Sequence, residues 1–250
     1  MSHGVLLFCF DTKHTRYHKI LEKCVKLVKK NISQKNITVV TNFETFKKMS
    51  PMGFVNYKFI EPELGNFKLG KEWNNVDRHM AYDLSPYDTT LVIDIDYFCF
   101  TDQLAQFFDT NYDFLVTDKA HDLSGSGNFD ERRFSMIPMV WATVLMFKKN
   151  DRVKRIFDTV KYIKQNYQYF RSMYRIYDSN LRNDYLFAMA LQQVNGFVGY
   201  DVFPFAIPTL PPGCSVIKFT DTGLAWKHNG QINHVEDQDV HVLDKESIDV

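Results

Sequence analysis

Val92-Ile93-Asp94-Ile95-Asp96-Tyr97 ends an apolar run with two acids two residues apart. Read as a strand end, the segment sends both carboxylates to one face, because side chains alternate along an extended chain. Two ionised carboxylates held against an apolar sheet repel each other and need a cation or a shared proton. Hard carboxylate oxygens suit magnesium or manganese, ions that keep positions open for substrate phosphates. The competing reading is a solvated strand end whose Asp caps the next helix. The apolar stretch from Thr89 to Asp94 favours the metal.

Such a pair must be held at the edge of a sheet, and the surrounding pattern supplies one. Val5 to Phe10 is apolar and ends in Asp11; Thr15 to Lys29 then repeats apolar residues at helical spacing through Tyr17, Ile20, Leu21, Cys24, Leu27 and Val28. Ile37 to Thr41 and Tyr57 to Ile60 read as strands around a helix at Glu44 to Met49. Asn75 to Leu84 reads as a helix closed by Ser85-Pro86, and the strand after it is too apolar to be half-exposed. A helix at Gln103 to Phe108, strands at Phe114 to Thr117 and Val140 to Phe147, and helices at Arg152 to Tyr169 and Asn183 to Gln193 follow. His121 to Arg133, rich in Ser, Gly, Asp and Arg, reads as a mobile loop. Beyond Gly196 the prolines predict a tail of short strands that folds back over the site. The alternation predicts an α/β fold: a Rossmann-like wound, mixed sheet flanked by helices, in a single domain of residues 1–250. Residues 1–110 would form a first half ending in the strand of the acidic pair, and residues 111–250 a second half with the tail.

The 250 residues are 45% hydrophobic, enough for a sizeable core, and thirty basic residues balance thirty acidic ones. No global field draws the chain to nucleic acid or an anionic membrane, so such a partner needs a local patch. The longest apolar runs fall short of the roughly 20 residues that cross a bilayer. The N-terminus runs straight into the first strand, predicting no signal peptide, no membrane anchor and a cytoplasmic location. Cys9, Cys24, Cys99 and Cys214 are scattered and read as reduced, buried thiols without a chemical role.

The segment from Arg78 through Ser85-Pro86-Tyr87-Asp88 to Asp94-Ile95-Asp96 resembles the stretch of GT-A glycosyltransferases, in a family-eight-like pattern, where a basic residue on a helix precedes a turn and the Asp-x-Asp strand. The resemblance implies a nucleoside-diphosphate sugar as donor and Asp94 and Asp96 as metal-site residues, with Asp94 also close to the donor. Arg78 is then a donor-binding residue; on its own helix it could equally pair with Asp77 or Asp83. The end of the first strand resembles the family's donor-binding loop, implying contacts from Phe10, Asp11, Thr12, Lys13 and Arg16. Trp141 to Phe147 stands where the family has a strand bordering the acceptor, without its usual Asn-Ala-Gly. Asn183 to Leu191 resembles the acidic helix start that faces sugar and acceptor. It makes Asp184 a candidate for sugar binding or general base work, beside its ordinary reading as a carboxylate at a helix N-terminus. Val240 to Lys245 fits the family's C-terminal histidine and lysine, implying His241 as third metal ligand and Lys245 as a diphosphate contact; His234 and His228 are alternatives.

The implied reaction is sugar transfer from a nucleoside diphosphate to a hydroxyl, with Asp184 or Asp118 as the base an inverting enzyme needs. From Tyr162 to Tyr177, basic residues interleave with aromatic ones, as on a nucleic-acid face or, more simply, an amphipathic helix with its rings in the core. The Lys- and Asn-rich chain also resembles phage-encoded enzymes that glycosylate modified pyrimidines. That resemblance implies DNA carrying a hydroxymethylated pyrimidine as acceptor, and the host cytoplasm as location. A nucleotidyltransferase is the rival enzyme, but Phe8 to Arg16 lacks the glycine-rich phosphate loop it needs. A non-catalytic sugar- or nucleic-acid-binding module is the rival of another class.

Overall fold

A computed structural model describes residues 2–32, 36–63, 67–68, 71–72, 77–125, 135–177 and 180–248. In chain order the first half has β1 (His3–Phe8), α1 (Tyr17–Asn31), β2 (Ile37–Thr41), α2 (Phe43–Phe46), β3 (Val55–Phe59), and a small antiparallel pair, β4 (Phe67–Lys68) and β5 (Lys71–Glu72). A 3-10 turn at Arg78–Met80 then runs into α3 (Ala81–Leu84), β6 (Thr89–Ile93) and β7 (Tyr97–Phe98). The second half has β8 (Phe114–Thr117), β9 (Ala120–Asp122), β10 (Trp141–Lys148), α4 (Asp151–Gln165), α5 (Tyr167–Met173), α6 (Asn183–Val194) and β11 (Ile207–Leu210). A three-stranded meander, β12 (Ser215–Phe219), β13 (Gly223–His228) and β14 (Gln231–Glu236), precedes β15 (Val240–Val242) and a final 3-10 turn at Lys245–Ile248.

The main sheet has the order β3-β2-β1-β6-β10-β8. Its first four strands run parallel, and β10 is antiparallel to both β6 and β8. This is the wound, mixed sheet flanked by helices that the sequence predicts, in one domain. Every residue of β6 is buried, as its unbroken apolar character requires of a strand with partners on both sides. Helix α1 packs Ile20, Leu21, Cys24, Val25, Leu27 and Val28 into the core and leaves its lysines outside. Each such aliphatic side chain contributes about 1.5–3 kcal/mol relative to exposure. One cluster of buried apolar residues extends from Val5 to Ile248 and so ties the C-terminal segment to the sheet.

Several local expectations shift. The helix expected at Gln103 to Phe108 is a 3-10 turn, Ala105–Asp109. The helix expected from Arg152 to Tyr169 breaks at Asn166, whose side chain donates to the Tyr162 carbonyl at 2.9 Å, so α5 starts anew. The loop expected from His121 begins as β9, paired in parallel with β11; residues 126–133 of it, and residues 75–76 of the helix before β6, lie outside the described residues. Among the described residues no helix is long and apolar enough to cross a membrane.

Candidate active site

The acidic pair does not converge by strand alternation. β6 ends at Ile93, and Asp94 to Tyr97 form a turn closed by the Tyr97 N–H donating to the Asp94 carbonyl at 3.0 Å. The turn folds both carboxylates toward a short second sheet, β7-β15-β11-β9. There β15 runs antiparallel to β7 with His241 opposite Tyr97, and the Val242 N–H donates to the Asp96 carbonyl at 2.9 Å. That register places the His241 ring beside Asp96, Nε2 to carboxylate 3.6 Å, and the chain then turns so that the Lys245 ammonium meets the other Asp96 oxygen at 2.5 Å.

The opposite wall is made by an irregularity in β10. Its pairing with β8 shifts register between Trp141 and Leu145. A shift of this kind leaves backbone groups unpaired and re-aims them. The Thr143 carbonyl accepts from the Asp94 N–H at 2.8 Å, the Ala142 carbonyl accepts from Arg78, and the Ala142 N–H donates to Asp184 at 2.9 Å. Arg78 also pairs with Asp94 and is 1% exposed. It pairs with neither acid of its own turn: Asp77 is taken by Lys164 at 2.8 Å. Asp184, in the first turn of α6, holds Arg182 at 3.0 Å.

These groups line one cleft, open to solvent, whose wall also includes Phe8, Phe10, Tyr17 and Trp141. Three carboxylates (Asp94, Asp96, Asp184) face three cations (Arg78, Arg182, Lys245), so their formal charges cancel. Burial pushes the Asp96 carboxyl up, but Lys245 and then His241 outweigh it and hold it well below the usual carboxylate range. Burial raises Asp94; Arg78 opposes this and the charge on Asp96 adds to it. Burial alone would lower the Lys245 ammonium, and Asp96 reverses that, so it is raised.

Asp94, Asp96 and His241 each offer a ligand atom within 4.8 Å of the others. Two hard carboxylates and an imidazole suit magnesium or manganese. The Nδ1 of His241 is buried without a hydrogen-bond partner among the described residues, as expected of a ring whose bonding is completed by something else. The residues present therefore fit a divalent ion.

The other sequence candidates are distributed differently. Phe10 lines the cleft. Asp11 is turned away: its carboxylate accepts from the His18 N–H at 3.0 Å and sits 2.8 Å from the His18 ring and 3.3 Å from Lys48, anchoring the start of α1. The Thr12 hydroxyl accepts from the His14 and Thr15 amides and shapes the loop, while Lys13 is exposed. Arg16 lies in an adjoining recess with His14, Thr15, Ile20 and Glu246, joined to the main cleft through Lys245. Asp118, just past β8, is not on the cleft wall; its charge adds to burial in pushing the Tyr200 hydroxyl up to about 12. His228 meets Cys214 and Gly213, and His234 is exposed on β14, which leaves His241 as the histidine at the acids. All four cysteines are buried and free.

Tyr17 and Arg182 escaped the sequence reading. Tyr17 looked like one more apolar position of α1. The signal for Arg182 was its place two residues before Asp184, at a helix start.

No protein-family model matches the chain, and no curated protein matches it. Among solved structures it is similar to the glycosyltransferase GlyE of Streptococcus pneumoniae TIGR4, with 14% identity over 82% of this chain and 46% of that one, TM-score 0.46. It is also similar to mouse xyloside xylosyltransferase 1, with 8% identity over 82% and 85% and TM-score 0.48. A third is a Bacillus anthracis protein described as a glucose-1-phosphate thymidylyltransferase, with 13% identity over 78% and 94% and TM-score 0.40. The chain spans less than half the length of the pneumococcal protein. Sugar and nucleotide transferases both occur among these structures.

Proposed function

We propose that the chain is a metal-dependent glycosyltransferase that moves a sugar from a nucleoside-diphosphate donor to a hydroxyl. The observation that carries this reading is the convergence of Asp94, Asp96, His241 and Lys245 in one cleft with Arg78 and Arg182. Since the charges of its acids and bases cancel, a bound diphosphate brings negative charge that the side chains have not already balanced. A magnesium or manganese ion held by Asp94, Asp96 and His241 would supply that compensation. Arg78, fixed by Ala142 and Asp94, keeps the turn in place. Lys245, whose side chain is 27% exposed, is the cation able to leave Asp96 for a diphosphate oxygen.

In the reaction the bond between the anomeric carbon and the diphosphate oxygen breaks, its electron pair leaving with the diphosphate. The acceptor oxygen bonds to that carbon and passes its proton to Asp184 where that carboxylate holds the hydroxyl, or to the departing diphosphate where it holds the sugar. Asp184, oriented by the Ala142 amide and by Arg182, is the carboxylate placed to hold the sugar or the acceptor hydroxyl. The Phe10 to Arg16 loop and its recess lie beside Lys245 and are suited to the nucleoside.

The reading is tested by incubating the protein with UDP- and GDP-sugars and manganese and measuring the released product. Nucleoside diphosphate is expected. Pyrophosphate release from a nucleoside triphosphate would instead indicate a nucleotidyltransferase, and donor binding without turnover a binding module.

A further inference from the structure

From Thr159 to Tyr177 the chain carries Lys161, Lys164, Arg171 and Arg175 and no acidic residue. Lys164 is turned inward, paired with Glu63 at 2.7 Å and Asp77 at 2.8 Å. The rings divide. Tyr167, Phe170 and Tyr174 enter the core, whereas Tyr162, Tyr169 and Tyr177 remain 57%, 67% and 71% exposed. Tyr162 and Tyr169 both stand edge-on to Phe170, with centroids 5.7 and 5.2 Å from its ring. One buried ring thus fixes two exposed ones on the same surface. Lys161 and Arg175 of the same stretch are exposed, and Arg171, half-buried, donates to the Tyr177 carbonyl at 3.1 Å.

An amphipathic helix that serves only the core has no need of large rings on its solvent side. Aromatic faces interleaved with cations complement a chain of phosphates bearing flat bases. In a duplex those faces are stacked on one another, so the tyrosines select unpaired bases. The inner side of this segment is tied to elements that lead into the cleft wall. The Met136 N–H donates to the Tyr174 carbonyl at 2.9 Å, five residues before Trp141 of the cleft wall, and Lys164 grips Asp77, next to Arg78.

We propose that this face docks a single-stranded polynucleotide, with bases stacked on Tyr162, Tyr169 and Tyr177 and phosphates met by Lys161, Arg171 and Arg175. Docking stands by itself; that the bound strand is the acceptor rests on the sugar-transfer reading.

The test is fluorescence anisotropy of a labelled oligothymidylate at low and at physiological salt, with the same sequence as a duplex and anionic vesicles as competitors. Binding of the single strand is expected, roughly tenfold or more weaker in the Tyr162→Ala/Tyr169→Ala variant. The Lys161→Gln/Arg175→Gln variant should show a shallower salt dependence. Both variants should bind nucleoside diphosphate as the wild type does, which separates this surface from the cleft. Asp96→Asn should keep the oligonucleotide while losing the nucleotide. No binding at low salt, binding unchanged in the tyrosine variant, or equal competition by duplex or vesicles would overturn the proposal.

Discussion

Val242 donates its main-chain N–H to the carbonyl of Asp96 across 2.9 Å. That bond joins the C-terminal strand to the acidic turn and brings His241 and Lys245 to one carboxylate. Removing the ammonium leaves a buried carboxylate with, among the described residues, the His241 imidazole and the like-charged Asp94 beside it. Lys245→Met is expected to lower stability by about 3 kcal/mol in EDTA, or roughly 10 °C in Tm. Manganese should restore most of the loss, since a bound ion neutralises the same oxygens. Thermal unfolding with and without manganese checks this; a variant as stable as the wild type in EDTA would contradict it.

Arg78 bridges the Ala142 carbonyl and Asp94 from a position that is 1% exposed. A lysine offers one compact ammonium where a planar guanidinium reaches both acceptors. Arg78→Lys should therefore cost about 3 kcal/mol in urea unfolding, despite conserving charge. A loss under about 0.5 kcal/mol, the size of a surface substitution, would show that the bridge contributes little.

Much of this arrangement was legible in residue order, and the rest was not for physical reasons. Asp94 and Asp96 announced themselves by standing at the end of an apolar run, and the wound sheet by its alternating periods. Their convergence through a turn was hidden, because strand alternation places two such acids on one face equally well. The tie of Asp11 to His18 seven residues on was hidden because nothing in its spacing reveals it. The place of Asp118 off the cleft wall follows only from the three-dimensional course after β8. Arg182 depends on the register shift in β10, a feature of pairing that no local pattern records.

Asp184 is oriented by both the Ala142 amide and Arg182. Asp184→Asn keeps an oxygen for the amide but loses the charge. Transfer is expected to fall by about a hundredfold or more while affinity for nucleoside diphosphate stays within about twofold. Kinetics alongside calorimetry separate the two. An equal loss in both would place Asp184 on the donor phosphates.

Asp239 accepts from the Thr101 N–H and hydroxyl at 2.8 and 2.9 Å and from the Tyr97 hydroxyl at 3.3 Å. Burial raises its carboxyl to about 6, with the Thr101 bonds opposing. The unfolded chain releases this proton near pH 4, about the ordinary Asp value. Between these limits the folded state holds a proton the unfolded state has lost, so stability falls as pH rises and levels off above about pH 6. Relative to Asp239→Asn, the wild type should lose about 1 kcal/mol between about pH 5 and pH 7. Denaturation midpoints at the two pH values check this; parallel profiles would remove the effect.

The claim that Asp94 and Asp96 hold an ion for a diphosphate is tested most directly by calorimetry of UDP and GDP, with manganese and with EDTA, on the wild type and Asp96→Asn. Binding by the wild type only with manganese, and none by the folded variant, is the expected result. Equal binding with EDTA, or unaltered binding by Asp96→Asn, would contradict it.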